Sequence, residues 1–169
     1  MPRRAPTDPL EDAVRAFLVP RGFDGEVLAI AYQLYRASQE AIARAETEVL
    51  RPEGLSWTGY IILMTLWMLG PTEVRELARL QPTSKAGVVK ALDVLEARGL
   101  VRRTRSEVDR RLVSAALTRP GRARIPRLQH AVHAREHRLT GALSAAEKRT
   151  LARLLRKLDT RATGGSLTS

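Results

Sequence analysis

Hydrophobic and polar positions repeat along this chain in helical periods almost from end to end. Asp8-Pro9-Leu10-Glu11 sets out a capping carboxylate, a first-turn proline and a glutamate three residues after the cap. It predicts a short helix to about Val19, with Leu10, Val14, Phe17 and Leu18 on its apolar side, ended by Pro20 and Gly22. Asp24 caps a long helix to about Leu50, whose seam of Val27, Ala31, Leu34, Ile42, Ala45 and Val49 lies near heptad spacing. Pro52 and Gly54 break it. Ser56 then caps a helix from Trp57 to Leu69 that is apolar nearly all round and therefore central. After the stop at Gly70-Pro71, Thr72 is expected to cap a short helix from Glu73 to Leu80, with Val74, Leu77 and Ala78 inward.

The stretch from Thr83 to Thr118 reads as helix, strand, charged turn and strand. Thr83 or Ser84 caps the helix and Gly99 closes it. Val88, Leu92 and Leu95 recur at spacings of four and three, one buried stripe. At about 100° per residue, Ala86, Lys90, Asp93 and Ala97 point the other way, flanked by Lys85, Gly87 and Val89. A small, basic outer face of this kind suits a major groove about 12 Å wide. Ser84, Lys85 and Lys90 can hydrogen-bond there, whereas Ala86, Gly87 and Val89 meet thymine methyls or permit close approach. Strands are expected at Leu100–Arg105 and Leu112–Leu117. Which face of the second is buried stays open, because Val113, Ala115 and Leu117 alternate with Leu112, Ser114 and Ala116. A short helix, a tight turn and a second helix make a helix-turn-helix, whose second helix reads the groove.

After the hairpin, Thr118 starts another long helix striped by Ile125, Leu128, Val132, Leu139 and Leu143. Pro120 is tolerated in its first turn, and Pro126 is expected to kink the helix or delay its true start. Ser144-Ala145-Ala146-Glu147 is a capping box that opens a last helix carrying Leu151, Leu154, Leu155 and Leu158 on one side. The helices at both ends are too apolar on one side for a monomer of this size, and pairing across a two-fold axis would cover them.

LEARGLVRR, then Asp109-Arg110-Arg111, then Leu117-Thr118 and Gly121, in that order and spacing, resembles the winged-helix regulators of the multiple antibiotic resistance (MarR) type. The resemblance runs from about Asp24 to Arg161. It implies a mainly α fold with a small β-hairpin wing, a winged helix-turn-helix on a helical dimerisation domain. The implied boundaries are an arm and extension helix at 1–23, a dimerisation helix at 24–55, the DNA-binding domain at 56–118, dimerisation helices at 119–163 and a disordered tail at 164–169. The resemblance implies a homodimer on double-stranded DNA, a repressor of nearby genes released by a small aromatic or anionic ligand. A wing arginine, Arg110 or Arg111, would enter the minor groove, oriented by Asp109; Arg103 and Arg105 add to the basic wing. Gly59 departs from the larger polar residue common in the family. The extension helix is found in a urate-responsive subgroup, but Ile61 stands where that subgroup has an acid, so urate is not carried over.

Charge adds to this picture. The 169 residues carry a formal net charge of +11. Nine arginines between 98 and 124 face only Glu107 and Asp109, a local excess of +7 that suits a polyanion. With no cysteine, disulfides, thiolate metal sites and thiol redox sensing are excluded. No secretory signal or membrane span is visible, so a cytoplasmic location and no membrane partner are expected. No P-loop, GxGxxG, HExxH or GxSxG occurs, so neither an enzyme nor a cofactor is expected.

Two further sets of residues are candidates. Tyr32, Tyr35, Trp57, Tyr60 and Trp67 could line a ligand pocket between the dimer helices and the reading head, or be plain core. His130, His133 and His137 share one side of a helix at spacings of three and four. They could chelate a transition metal, titrate near neutral pH, or form a polar surface face. The rival functional class is therefore a metal- or small-molecule-sensing dimer whose histidine face carries the main function.

Overall fold

The structure is a computed structural model and describes residues 8–81, 83–105 and 112–158. The expected arm, the tail and the wing residues Asp109, Arg110 and Arg111 lie outside the described residues. Among the described residues, seven α-helices and three strands follow in the order α1 (Pro9–Leu18), α2 (Gly25–Ala45), α3 (Trp57–Leu69), β1 (Thr72–Glu73), α4 (Val74–Leu80), α5 (Lys85–Ala97), β2 (Val101–Arg105), β3 (Val113–Leu117), α6 (Arg119–Leu139) and α7 (Ala145–Leu158).

Most helix starts rest on the local capping chemistry legible in the sequence. Asp8 accepts from the Leu10 amide at 2.8 Å, Asp24 from Glu26 at 2.8 Å, and Ser56 from Gly59 at 3.1 Å. Ser84, not Thr83, caps α5, accepting from Gly87 at 3.1 Å. Thr118 caps α6, and at α7 Ser144 and Glu147 exchange bonds as a capping box. Each cap satisfies an amide with no partner inside its own helix.

The core forms around α3. Its Ile62, Leu63 and Leu66 are fully buried. They belong to one cluster with Val88, Leu92 and Leu95 of α5, Leu77 of α4, Ala115 of β3, and Ile125, Leu128 and Val132 of α6. The sheet order is β1-β3-β2, antiparallel throughout. Burial of Ala115, with Leu117 packed on the core, decides the face of β3.

Three expectations need correction. Thr72 does not cap α4: it pairs with Ala115 as part of β1, and its hydroxyl donates to the Gly70 carbonyl at 3.0 Å. Without β1, the backbone groups of β3 on that side would lie unpaired beside the core, so the ladder takes the expected cap and the first residue of the expected helix. The long helix stops as an α-helix at Ala45; a π turn (Glu46–Leu50) and a 3₁₀ turn (Arg51–Glu53) continue it, with Leu50 fully buried. Nor does Pro126 delay α6, which begins at Arg119 and runs unbroken through it. The ring is on the exposed side, so the helix loses only the amide that would serve the Arg122 carbonyl.

Among the described residues, nothing covers the N-terminal part of α2 or the leucine face of α7. Val27, Ile30 and Leu34 are exposed, as are Leu151, Leu154, Leu155 and Leu158. Between these faces runs an apolar groove of about 570 Å³. α1 packs on α2 through polar groups: buried Glu11 accepts from Gln33, and Asp8 pairs with Arg36 at 3.0 Å. Leu10 and Phe17, expected on the apolar side of α1, stay largely exposed. Among the described residues no helix is long and apolar enough to cross a membrane.

α6 begins directly against the turn that closes α5, and a Cβ on Gly121 would fall on the Leu100 carbonyl oxygen. Backbone cannot yield as a side-chain end can. Gly121→Ala should therefore destabilise the protein by about 1–3 kcal/mol, read as a lower urea midpoint at an unchanged slope.

Candidate nucleic-acid interface

The orientation of α5 follows from its sequence. Val88, Leu92 and Leu95 are at most 1% exposed. That seats the helix against α3 and α4 and turns Lys85, Ala86, Lys90 and Asp93 to solvent. Gly87 and Val89 are half-buried at the edges of this face. Gly87 also serves the turn before it, since a Cβ there would stand 2.9 Å from the Thr83 hydroxyl. The structure thus brings Ser84, Lys85, Ala86, Gly87, Val89 and Lys90 together at the start of one helix, around its free amides.

The sequence put Arg103 with Arg105 as wing cations, but the structure uses Arg103 within the fold. The Arg103 amide donates to Glu96 Oε1 at 2.8 Å. Its guanidinium donates to Glu96 Oε2 at 2.8 and 2.6 Å and lies 2.7 Å from Asp93 Oδ1. β2 is thereby fastened to the last two turns of α5. Arg102 and Arg105 remain exposed on the same strand. This anchor escaped the sequence reading; its signal is an acid seven residues before an arginine across a helix-to-strand turn.

The five aromatics do not form one pocket in this chain. Tyr32 has its hydroxyl enclosed at the α1–α2 joint, and burial raises its pKa. Tyr35 is exposed. Trp57 and Tyr60 touch, with ring centroids 5.5 Å apart. The Tyr60 hydroxyl donates to Gln129 of α6, and burial, then Glu136, push its pKa up to about 12. Trp67 is ten residues beyond Trp57, about 15 Å along the same helix. Helical spacing alone separates them.

The histidines are all exposed on α6. The His133 and His137 rings meet edge to face at 4.7 Å, and His133 Nδ1 lies 3.1 Å from Glu136. Among the described residues no group of three or more His, Asp or Glu side chains is placed to hold a metal ion.

A family model described as the MarR family matches residues 55–113. A helix-turn-helix-type transcriptional regulator of Bacillus subtilis, YwaE, is 36% identical over 133 residues, 79% of this chain and 78% of that protein. A helix-turn-helix-type transcriptional repressor of Mycobacterium tuberculosis is 32% identical over 130 residues, 76% of this chain and 92% of that protein. Among solved structures, Bordetella bronchiseptica BpsR, whose DNA binding is regulated by 6-hydroxynicotinic acid, superposes with a TM-score of 0.71 at 25% identity, covering 77% of this chain and 98% of that one. A variant of Escherichia coli MarR complexed with operator DNA shares the fold with a TM-score of 0.71, covering 79% of this chain and 96% of that one.

Hydrogen bonds from Arg103, first from its side chain and then from its backbone, hold the Glu96 carboxyl below the usual carboxylate range. A depressed folded pKa gives stability that is present above the unfolded value and lost as pH falls through the folded one. Arg103→Ala should therefore lower the melting temperature at pH 7, with the deficit shrinking as the pH drops below about 4. Thermal melts of both proteins across that range check it.

Proposed function

Because the chain belongs to the MarR family of transcriptional regulators, we propose that it binds an inverted-repeat operator as a homodimer and represses adjoining genes until a small aromatic or anionic ligand releases it. The exposed start of α5 carries this reading: a face of Lys85, Ala86 and Lys90 whose opposite side is wholly buried. Two such helices held about one turn of duplex apart would meet successive major grooves. With few side chains able to read base edges, affinity rests heavily on phosphates and groove shape, with Arg105 and a wing arginine, Arg110 or Arg111, oriented by Asp109, supplying the second contact. The open apolar faces of α2 and α7 support pairing, since a monomer would leave them in water. The ligand class follows the relative whose DNA binding responds to 6-hydroxynicotinic acid. Such a ligand acts only as far as it binds the DNA-competent and DNA-incompetent spacings of the reading heads with different affinity.

Binding to DNA upstream of its own gene, against random DNA at several salt concentrations, tests the proposal directly. A large specificity ratio with a steep salt dependence is expected; equal binding to both DNAs would overturn it. Lys90→Ala should weaken operator binding and reduce the slope of log K against log salt by about one, and Arg111→Ala should weaken it as well. Unchanged affinity in both variants would refute this docking.

Leu155 stands in the middle of the exposed α7 face. Leu155→Glu should convert the dimer to a folded monomer by light scattering, and a dimer that persists would place the pairing surface elsewhere.

A further inference from the structure

Between α2 and α3 the chain passes through the 3₁₀ turn at Arg51–Glu53, and there one residue is held by two other helices. The Glu53 side chain is only 21% exposed. Its Oε2 accepts from Arg124 Nη2, and its Oε1 accepts from Arg127 Nη2 at 2.6 Å. Its carbonyl accepts from Arg124 at 2.9 Å and from Arg98 Nη2 at 3.2 Å. Arg124 and Arg127 belong to α6; Arg98 is the residue that closes α5. Gly54, at φ +68°, makes the room: a Cβ there would fall on the Arg98 guanidinium. One turn earlier Glu48 pairs with Arg135 at 3.0 Å and Arg138 at 3.3 Å, so the same segment also grips the distal half of α6.

We propose that Glu53 is a positioning residue for DNA reading: its carboxylate fixes the α2–α3 turn to α6, its carbonyl receives Arg98 from the end of α5, and this joint sets the half-site spacing that the dimer accepts. The inference rests on the proposed operator-binding dimer. Its physical basis is a turn locked to α6 by charge-assisted hydrogen bonds to a carboxylate, the strong and directional kind, which holds the Glu53 carbonyl in place for the Arg98 guanidinium. One base pair added between half-sites moves the second by about 3.4 Å and turns it by about 35°. Only a joint that resists both motions discriminates between spacings. Held by Glu53, the head and the long helices move as one body; released, the head can rock to follow a displaced half-site.

The test uses the full chain as wild type, Glu53→Gln, Arg98→Ala and, as a destabilised control, Val132→Ala in the α6 core. Each is titrated against the site that wild type selects from random DNA, and against versions with one or two base pairs added or removed between the half-sites. Wild type should prefer its own spacing by on the order of tenfold. That preference should fall to within about threefold in Glu53→Gln or Arg98→Ala, with affinity for an isolated half-site retained. Val132→Ala should melt lower yet keep the wild-type profile. Arg98 is exposed at the end of α5, so its variant decides the matter even where Glu53→Gln fails to fold. An unchanged profile in both variants, or a flattened one in Val132→Ala as well, overturns the proposal. Failure of wild type to select any sequence would instead refute the operator-binding reading.

Discussion

Enclosing α3, a helix apolar on every side, decides where the other elements lie. Through Leu66 it has no face to offer water, so α4, α5, α6 and β3 pack around it, and only its end, Trp67 to Leu69, stays exposed. α5 meets that demand with Val88, Leu92 and Leu95, and the geometry of a helix then leaves the residues between them outside. The exposed basic face and the buried stripe are therefore two results of one packing event. β3 contributes Ala115, and its free edge recruits Thr72 and Glu73 into a ladder. The three-stranded sheet, the reading helix and α6 are thus arranged around a single column of aliphatic side chains, with few aromatic rings among them.

Electrostatics then sorts the charges by position. The chain has 18 acids against 29 basic residues, and several of the acids face inward toward arginines at the joints. Glu96 ties β2 to α5, Glu53 ties the α2–α3 turn to α6, and Glu48 holds α6 further along. Burial around Glu53 and Glu96 works against ionisation, but the arginine hydrogen bonds outweigh it and hold both carboxyls low. Lys85, Lys90, Arg102 and Arg105 are left on the outside. Acids spent on the fold's own joints leave more of the positive charge free to meet an approaching polyanion.

What the sequence disclosed was local. Caps at Asp24, Ser56, Thr118 and Ser144 depend on a hydroxyl or carboxylate and the amides two or three residues on, so spacing alone revealed them. The stripe of α5 was legible for the same reason. β1 was not, because a two-residue strand has no period and exists only where β3 needs a partner. Arg103 looked like one more wing cation, since nothing in LEARGLVRR shows that Glu96 lies beneath it. Tyr32 and Trp67 looked like pocket residues because aromatic type carries no information about distance along a helix. The wing tip, where the family resemblance is most specific, lies outside the described residues.

Pro126 leaves a notch in the longest C-terminal helix. With no amide at 126, the Arg122 carbonyl has nothing four residues on from which to accept. Before the notch, α6 is pinned to the α5 turn by Thr118 and Gly121; beyond it, the helix carries Leu128, Val132 and Arg135 into the core and against Glu48. A helix continuous to the eye is thus, by its contacts, two segments with different neighbours.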